Sequence, residues 1–441
     1  MADILLIYPR PDEIKPWRFG FSLHLLYLAA ILKQANHHIV AYLDFSIESY
    51  DDKALDEKLD RSQLIIIEFD AFPLKRSVNI KHGEALIRYI KQRDPQKKII
   101  VFGYDFSLFP RSQEGADLTL TSEPGKKILN SVSQVMGEKT ETPEFIEEMS
   151  EDFDDLPFPE RSLLSSYAER GGSINSEPHL ARSTLIETSR GCLNSCTFCQ
   201  RKGWNRSSHR RVHSIDYVVR EFSYLQQYRY KNIWITDDNF TYDLKRAKQI
   251  LKKLEYEHLT TGMKIALSSW TRIDREFLEL ARYAGVSIIS FGVESADPDI
   301  LDFYKKRVDL DEFHKLVTFA NKTGLYTVGN FILGAPMETV ETMGKTFKYI
   351  QDTPFDQVNI KILDYMAGSE LYINLPPHLK RDKRHLFSCS ENGLNNFPIG
   401  NLREMIDCFG KTIRALRRER LERKIKTFGP PYFTTRPRIF L

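Results

Sequence analysis

Of 441 residues only five are cysteine, and three of those lie within one short stretch. That distribution excludes a disulfide framework. No apolar run reaches the ~18 residues needed to cross a bilayer, and the first residues lack the charged-then-apolar order of a secretory leader. An excess of one charge is missing as well. The chain has 63 basic and 60 acidic residues, a net charge of +3, so no bulk electrostatic attraction to nucleic acid or membrane arises. The expectation is a cytoplasmic, reduced protein with no nucleic-acid and no membrane partner. What is present, 41% hydrophobic and 28% charged residues, is an ordinary globular composition with room for two or three domains.

Short apolar runs alternate with helical patterns from the start. Residues 3–8, 38–43, 63–69, 98–103 and 116–121 read as strands; Leu23 to Gln34, Ile80 to Lys91 and a segment from Gly125 read as helices. Runs of this length, apolar throughout, suit strands buried on both faces of a parallel sheet. The first 140 residues are therefore expected to form a Rossmann-like, doubly wound α/β domain, which binds ligands beyond the carboxyl ends of its strands. Residues 141–182 are acidic and poor in apolar residues and read as a linker. Alternation resumes at 183, with six further strands up to Leu363 and helical patterns after the first four. This predicts a (β/α)6 partial barrel over 183–375, with functional groups at the carboxyl ends of its strands. The remainder, 376–441, is expected to be mainly helical. Its basic segment, Ile413 to Lys426, reads as a solvated face. Cys389 and Cys408 form no motif.

The three clustered cysteines are Cys192, Cys196 and Cys199, spaced C-x3-C-x2-C on a loop leaving the strand at 183–188. Soft thiolates select iron–sulfur clusters or zinc, and three of them leave one iron of a four-iron cluster open to a reacting ligand. A zinc knuckle completed by His209 or His213, or thiols with no special role, are the alternatives.

The spacing, with Arg190-Gly191 before it and Phe198 before its last cysteine, resembles the cluster loop of the radical S-adenosylmethionine (SAM) superfamily, and the likeness extends over about 190–375. It implies a [4Fe-4S] cluster on Cys192, Cys196 and Cys199 as metal ligands and catalytic centre, with SAM on the open iron. Reductive cleavage would give a 5′-deoxyadenosyl radical that abstracts hydrogen from a small-molecule substrate. A one-electron donor such as flavodoxin or ferredoxin would be needed. Carried over position by position, Asp237 and Asp238 stand where the family holds the SAM amine; Asp is also a common helix cap. Ser268 and Arg272 follow the third barrel strand, with Arg272 toward the SAM carboxylate. Glu294 in Phe-Gly-Val-Glu-Ser matches the ribose position, and Ile332 and Gly334 match the adenine-supporting motif, whose usual earlier glycine is Asn330 here. Phe198 would stack near the adenine. For the substrate, Tyr365, Trp204, His209 and Arg211 are candidates.

The N-terminal region resembles the cobalamin-binding domain of one large subfamily. That implies cobalamin as a further cofactor and C-methylation or rearrangement as the reaction, as in natural-product biosynthesis. Two departures in the glycine motifs count against a bound cobalamin, and the cobalt-binding histidine motif, which members of this subfamily often lack, is absent as well. The chain has Phe102-Gly103-Tyr104 where a Gly-Gly pair is usual, Ser122-Glu123-Pro124-Gly125 where Gly-Glu-Gly is usual, and no Asp-x-His-x-x-Gly stretch. Without cobalamin, the resemblance implies a radical dehydratase or deoxygenase of a sugar or natural product.

Overall fold

The run Asp3–Tyr8 (β1) is buried along almost its whole length and lies between two parallel neighbours, His38–Asp44 (β2) and Leu64–Glu68 (β3). Lys98–Phe102 (β4) and Leu118–Thr119 (β5) extend the sheet beyond β3, again in parallel. The strand order is β2-β1-β3-β4-β5, so the chain reverses its direction of growth at β1 and β3, and the ligand-binding crevice of such a sheet opens there. In the computed structural model the described residues are 2–12, 21–46, 52–70, 78–137, 153–164, 182–200, 210–380, 387–388 and 399–432. The chain divides into two compact units, Met1–Leu185 and Ile186–Leu441.

Three helices of the first unit match their sequence pattern. Leu23–Gln34 (α1) is apolar around most of its circumference, and nine of its residues are buried, as a helix without a polar face must be. Ile80–Arg93 presents one stripe, Ile80, Gly83, Leu86, Ile87 and Ile90, to the core. At Gly83 an added Cβ would lie 2.6 Å from the Phe69 ring, so glycine permits that close packing. The third, Ile128–Val135, follows a 3-10 turn at Gly125–Lys127. Two elements were not foreseen. Asp52–Asp60 is a helix that buries only Leu55 and Leu59, too little apolar signal to stand out from its charges. Tyr104–Leu108 is a one-turn helix directly after β4. Most of the expected linker lies outside the described residues; inside them, Phe153–Asp155 and Arg161–Leu164 form short 3-10 turns.

The second sheet has six strands in the order β13-β12-β11-β10-β9-β6. They are Ser183–Ile186 (β6), Asn232–Ile235 (β9), Lys264–Trp270 (β10), Val286–Glu294 (β11), Tyr326–Leu333 (β12) and Gln357–Ile362 (β13). Ser189–Arg190 (β7) and Arg211–Val212 (β8) form a small antiparallel pair. Every pairing from β9 to β13 is parallel. Helices Ile215–Gln227, Leu244–Tyr256, Arg275–Tyr283, Leu310–Lys322 and Val340–Asp352 follow their strands, which makes this a partial (β/α)6 barrel. Ile233, Ile265, Leu267, Ile289, Phe291 and Phe331 enter one core with the helices. Period-two alternation therefore turns Trp234, Ser268, Trp270, Ser290, Asn330 and Ile332 to the opposite face.

The C-terminal region is mainly helical, as expected, with one long helix at Ile399–Phe428. Part of its basic run, however, is not solvated. Arg417 donates to the Ile350 carbonyl (3.2 Å), Arg420 to the Phe355 carbonyl (2.6 Å), and Lys424 to the Leu325 carbonyl (2.6 Å) and to Asp356 (2.7 Å). The carbonyls at the end of Val340–Asp352 and in the turns before β12 and β13 lack intra-element partners. The cations satisfy them.

Candidate functional site

The cluster loop begins where β6 ends, and a set of buried polar groups fixes it. Asp237, just past β9, is 1% exposed. One of its carboxylate oxygens accepts the Thr188 N–H (2.7 Å); the other accepts the hydroxyls of Thr188 and Ser189 (both 2.6 Å). Asp238 accepts the Gly191 N–H at 3.1 Å. Arg246, in the first turn of Leu244–Tyr256, reaches back to the Thr188 carbonyl (3.0 Å) and the His213 carbonyl (2.7 Å). Ser189 and Arg190 pair with Val212 and Arg211, which ties the two ends of the loop together, and Arg190 is further held by Glu187. Both aspartates thus engage the stretch before Cys192. Neither is a helix cap.

Beyond Gly191 the loop docks on the second unit's own connectors. The Thr197 hydroxyl donates to the Phe303 carbonyl (3.0 Å), and the Thr197 carbonyl accepts the Leu371 N–H (3.1 Å). Phe198 meets Tyr304 edge to face, with centroids 5.2 Å apart. Cys196 is buried, Cys192 and Cys199 are partly exposed, and none of the three is in a disulfide. They share one electrostatic environment: burial pushes the Cys196 thiol up to about 12, the Lys306 ammonium pulls it down, and Cys199, Glu294 and Cys192 push it further up. A buried thiol of this kind is reluctant to ionise in the free chain, and a bound metal would deprotonate it. The donor set, three soft sulfurs with a cation beside them, suits an anionic iron–sulfur cluster. Among the described residues, no three His, Cys, Asp or Glu side chains are grouped to hold a single metal ion. His213 is buried and stacked on Tyr217 at 3.7 Å; His209 and Trp204 lie outside the described residues.

The far side of the site is the end of β11. The register with β12 slips between Gly292 and Glu294, and Glu294 has φ +71°. That conformation costs a non-glycine residue ~1–2 kcal/mol. Lys306, 12 residues on and 3% exposed at its side chain, lies 3.1 Å from Glu294 Oε1, donates to the Gly292 carbonyl (3.0 Å) and sits 4.2 Å above the Trp270 ring. A Cβ on Gly292 would come 2.5 Å from Glu294 Oε1, so a side chain there would displace the carboxylate from this position. Nothing in the sequence singles out Lys306, which stands in an ordinary-looking Lys305-Lys306-Arg307 run.

The other expected positions fall around the same sheet end. Ser268 is partly exposed on the face away from the helices. Arg272 is exposed, its guanidinium 5.3 Å from the Trp270 ring. Ile332 shares the Ser268 face, and Gly334 takes φ +94°. Buried Glu338 accepts the N–H groups of Gly334 (3.0 Å) and Ala335 (3.3 Å) and so fixes that turn. Asn330 fills the place of the expected glycine: it donates to Ser290 Oγ (2.8 Å) and the Phe291 carbonyl (2.9 Å) and accepts from Asn359 (2.9 Å). Tyr365 is buried.

Residues 186–350 match the model of the Radical SAM superfamily. They form a radical SAM domain. An uncharacterized methyltransferase of Pyrococcus horikoshii is 30% identical over 230 residues, 50% of this chain and 46% of the relative. The cytidylyl-2-hydroxyethylphosphonate methyltransferase of Streptomyces wedmorensis is 28% identical over 234 residues, 51% of this chain and 43% of the relative. The chain thus spans less than half of each. The methyltransferase TsrM of Kitasatospora setae, solved with cobalamin and a [4Fe-4S] cluster, superposes with a TM-score of 0.67 at 16% identity, over 84% of this chain and 74% of that one. The radical SAM domain therefore follows an N-terminal unit of the fold found in that enzyme.

In the N-terminal unit, the crevice end of the sheet holds three buried carboxylates, Asp44, Glu68 and Asp70. Asp44 accepts from the Ser22 N–H (3.2 Å), Tyr42 (2.6 Å) and Ser46; even so, burial raises its pKa to about 6. Glu68 meets Ser22 and His24, and Tyr8 donates to Asp70 at 3.2 Å. Beside β4, Gly103 has φ +135°, and its missing Cβ would lie 2.0 Å from the Phe69 carbonyl oxygen. Tyr104 and Phe106 are buried behind it, and Phe106 packs on Phe69 at 5.2 Å. This glycine serves the chain's own packing and forms no open cradle. At Gly125 a Cβ would meet nothing within 4 Å, so a bulky ligand could approach there.

No helix among the described residues is long and apolar enough to cross a membrane.

Proposed function

We propose that this protein is a radical SAM enzyme acting on a small molecule, with Cys192, Cys196 and Cys199 as cluster ligands and cobalamin-dependent methyl transfer as its reaction. The observation that carries this reading is the strained Glu294, held through one carboxylate oxygen by buried Lys306, beside a three-cysteine loop. When bound, the cluster and SAM supply a carbon radical able to take hydrogen from unactivated carbon, and cobalamin supplies the methyl group.

The chain's own residues bind and orient. Glu294 holds one carboxylate oxygen against Lys306 and presents the other to the ribose diol. The Gly334 turn, fixed by Glu338, and Ile332 give the adenine a backbone edge and an apolar wall. Phe198 closes the loop side. Ser268 and exposed Arg272 offer a donor and a cation to the amino-acid end of SAM. Asp237 and Asp238 act one step back, by fixing the backbone from Thr188 to Gly191 that leads into Cys192. A reductant of the flavodoxin or ferredoxin class would deliver the electron.

A second reading, radical dehydration or deoxygenation without cobalamin, is favoured by one observation. The β4 edge is filled by Tyr104 and Phe106, and Gly103 is committed to Phe69.

One experiment separates the two. Protein reconstituted anaerobically with iron and sulfide is offered hydroxocobalamin and desalted. Retention of one cobalamin per chain, with 5′-deoxyadenosine formed from SAM, supports methyl transfer. Turnover of SAM without retention supports the second reading. A colourless chain that binds no iron and cleaves no SAM refutes both.

A further inference from the structure

The Lys306 ammonium is almost wholly desolvated, and its fixed contacts are Glu294 Oε1 (3.1 Å), the Gly292 carbonyl (3.0 Å) and the Trp270 ring (4.2 Å). Lys306 lies on the connector between the helices Pro298–Phe303 and Leu310–Lys322. The loop bearing Cys196 is docked on the same connector, through Thr197 to Phe303 and Phe198 to Tyr304. The Lys306 cation and the cysteine loop are thus held in register by one short segment, residues 303–306. In a low-dielectric setting a fixed charge acts strongly on its neighbours, and net charge near an iron–sulfur cluster is one of the factors that set its reduction potential.

We propose that Lys306 is a positioning residue that acts electrostatically, orienting Glu294 and raising the reduction potential of the cluster held by Cys192, Cys196 and Cys199. The proposal rests on the cluster assignment above. Reduction adds an electron to an anionic cluster that three thiolates already burden. A buried cation lowers the free energy of that added charge, and the ammonium is held by its own contacts whether or not the cluster is reduced. Glu294, 3.1 Å from the ammonium, carries the opposite charge and opposes it.

The test is an anaerobic redox titration of the cluster followed by electron paramagnetic resonance, on the full-length chain and four variants. Lys306→Met removes the cation: at fixed potential the ratio of reduced to oxidised cluster is expected to fall at least tenfold, about 59 mV for a one-electron couple. Glu294→Gln removes the opposing charge and is expected to shift the potential upward. The double variant leaves the local net charge unchanged, so its shift is expected to be smaller than that of Lys306→Met alone. Lys306→Arg keeps the charge and is expected to stay near the parent. If Lys306→Met does not fold, the upward shift in Glu294→Gln and the near-parent potential of the double variant still carry the proposal. Intact clusters with one common potential in every variant overturn it. A parent chain that takes up no cluster overturns the functional reading along with it.

Discussion

Replacing Asp237 tests whether that carboxylate serves the loop or the SAM amine. In the structure its two oxygens accept three hydrogen bonds of 2.6–2.7 Å, from Thr188 N–H, Thr188 Oγ1–H and Ser189 Oγ–H, in a place 1% exposed to water. Hydrogen bonds to a charged group are worth ~1.5–3 kcal/mol each, and buried donors left unpaired cost a similar amount. Asp237→Ala therefore costs on the order of 4–6 kcal/mol, a large share of a domain's total stability, and frees the segment leading into Cys192. Asp237→Asn differs. Its carbonyl still accepts the Thr188 N–H, and its amide donates to the two hydroxyl oxygens, which accept as readily as they donate. The cost drops to roughly 1–2 kcal/mol, from the hydroxyl hydrogens that must find new acceptors. Urea unfolding, iron per chain and equilibrium dialysis against SAM report the outcome. The expected pattern is lost stability and lost iron in Asp237→Ala, and near-parent iron and SAM affinity in Asp237→Asn. A stable, iron-replete Asp237→Asn chain that no longer binds SAM would refute the loop role and place the carboxylate on the SAM amine.

Four further outcomes follow from the same structure. Cys192→Ala, Cys196→Ala and Cys199→Ala are each expected to abolish formation of 5′-deoxyadenosine, assayed by chromatography after anaerobic reconstitution. Gly292→Ala would put a Cβ 2.5 Å from Glu294 Oε1 and 3.1 Å from Lys306 Nζ; SAM affinity is expected to weaken at least tenfold while iron content stays at the parent level. Lys424→Met leaves Asp356 buried without its cation, and breaking such a pair costs roughly 3–5 kcal/mol, readable as a lower urea midpoint at unchanged slope. Asp44 titrates at about 6 in the folded chain instead of 3.8. The folded state therefore holds this proton more tightly, and the contribution of Asp44 to stability declines as pH rises from about 4 through 6, by roughly 3 kcal/mol in total. The slope of unfolding free energy against pH in that window is expected to flatten in Asp44→Asn.

Both sheets and most of the helices were legible because their signals are local. An apolar run such as Leu64 to Ile67 has one favourable fate, burial between parallel neighbours, and the stripe from Ile80 to Ile90 has one favourable face. The cysteine spacing was legible for the same reason: three thiols on one short loop have few uses. The partners of charged side chains were less so. Asp237 in the sequence is an acid at a strand end, and its three donors lie 48 and 49 residues earlier. The helix Asp52–Asp60 and the one-turn helix at Tyr104 carry too few apolar positions for their periodicity to show.

The basic C-terminal run shows the same limit and indicates what a sequence signal would need. Arg417, Arg420 and Lys424 recur at spacings of three and four, so they share one helix face, and a row of cations on one face reads as solvated. Here that face meets carbonyl oxygens of Ile350, Phe355 and Leu325, groups the sequence never displays because every residue has one. Lys306 follows this logic at the site itself: a cation held by a backbone carbonyl, a ring face and one carboxylate looks like its exposed neighbour Lys305 until the fold supplies the three partners. The signals that were available are the glycine two residues before Glu294 and the acid itself at the strand end. A Cβ-free position beside an acid leaves room for a counter-ion, and the nearest cations downstream are Lys305, Lys306 and Arg307. Of these, only the one whose register turns it under the strand end can be buried. The chain's chemistry is therefore fixed less by which charged residues it carries than by which of them the connectors after β9 and β11 turn inward.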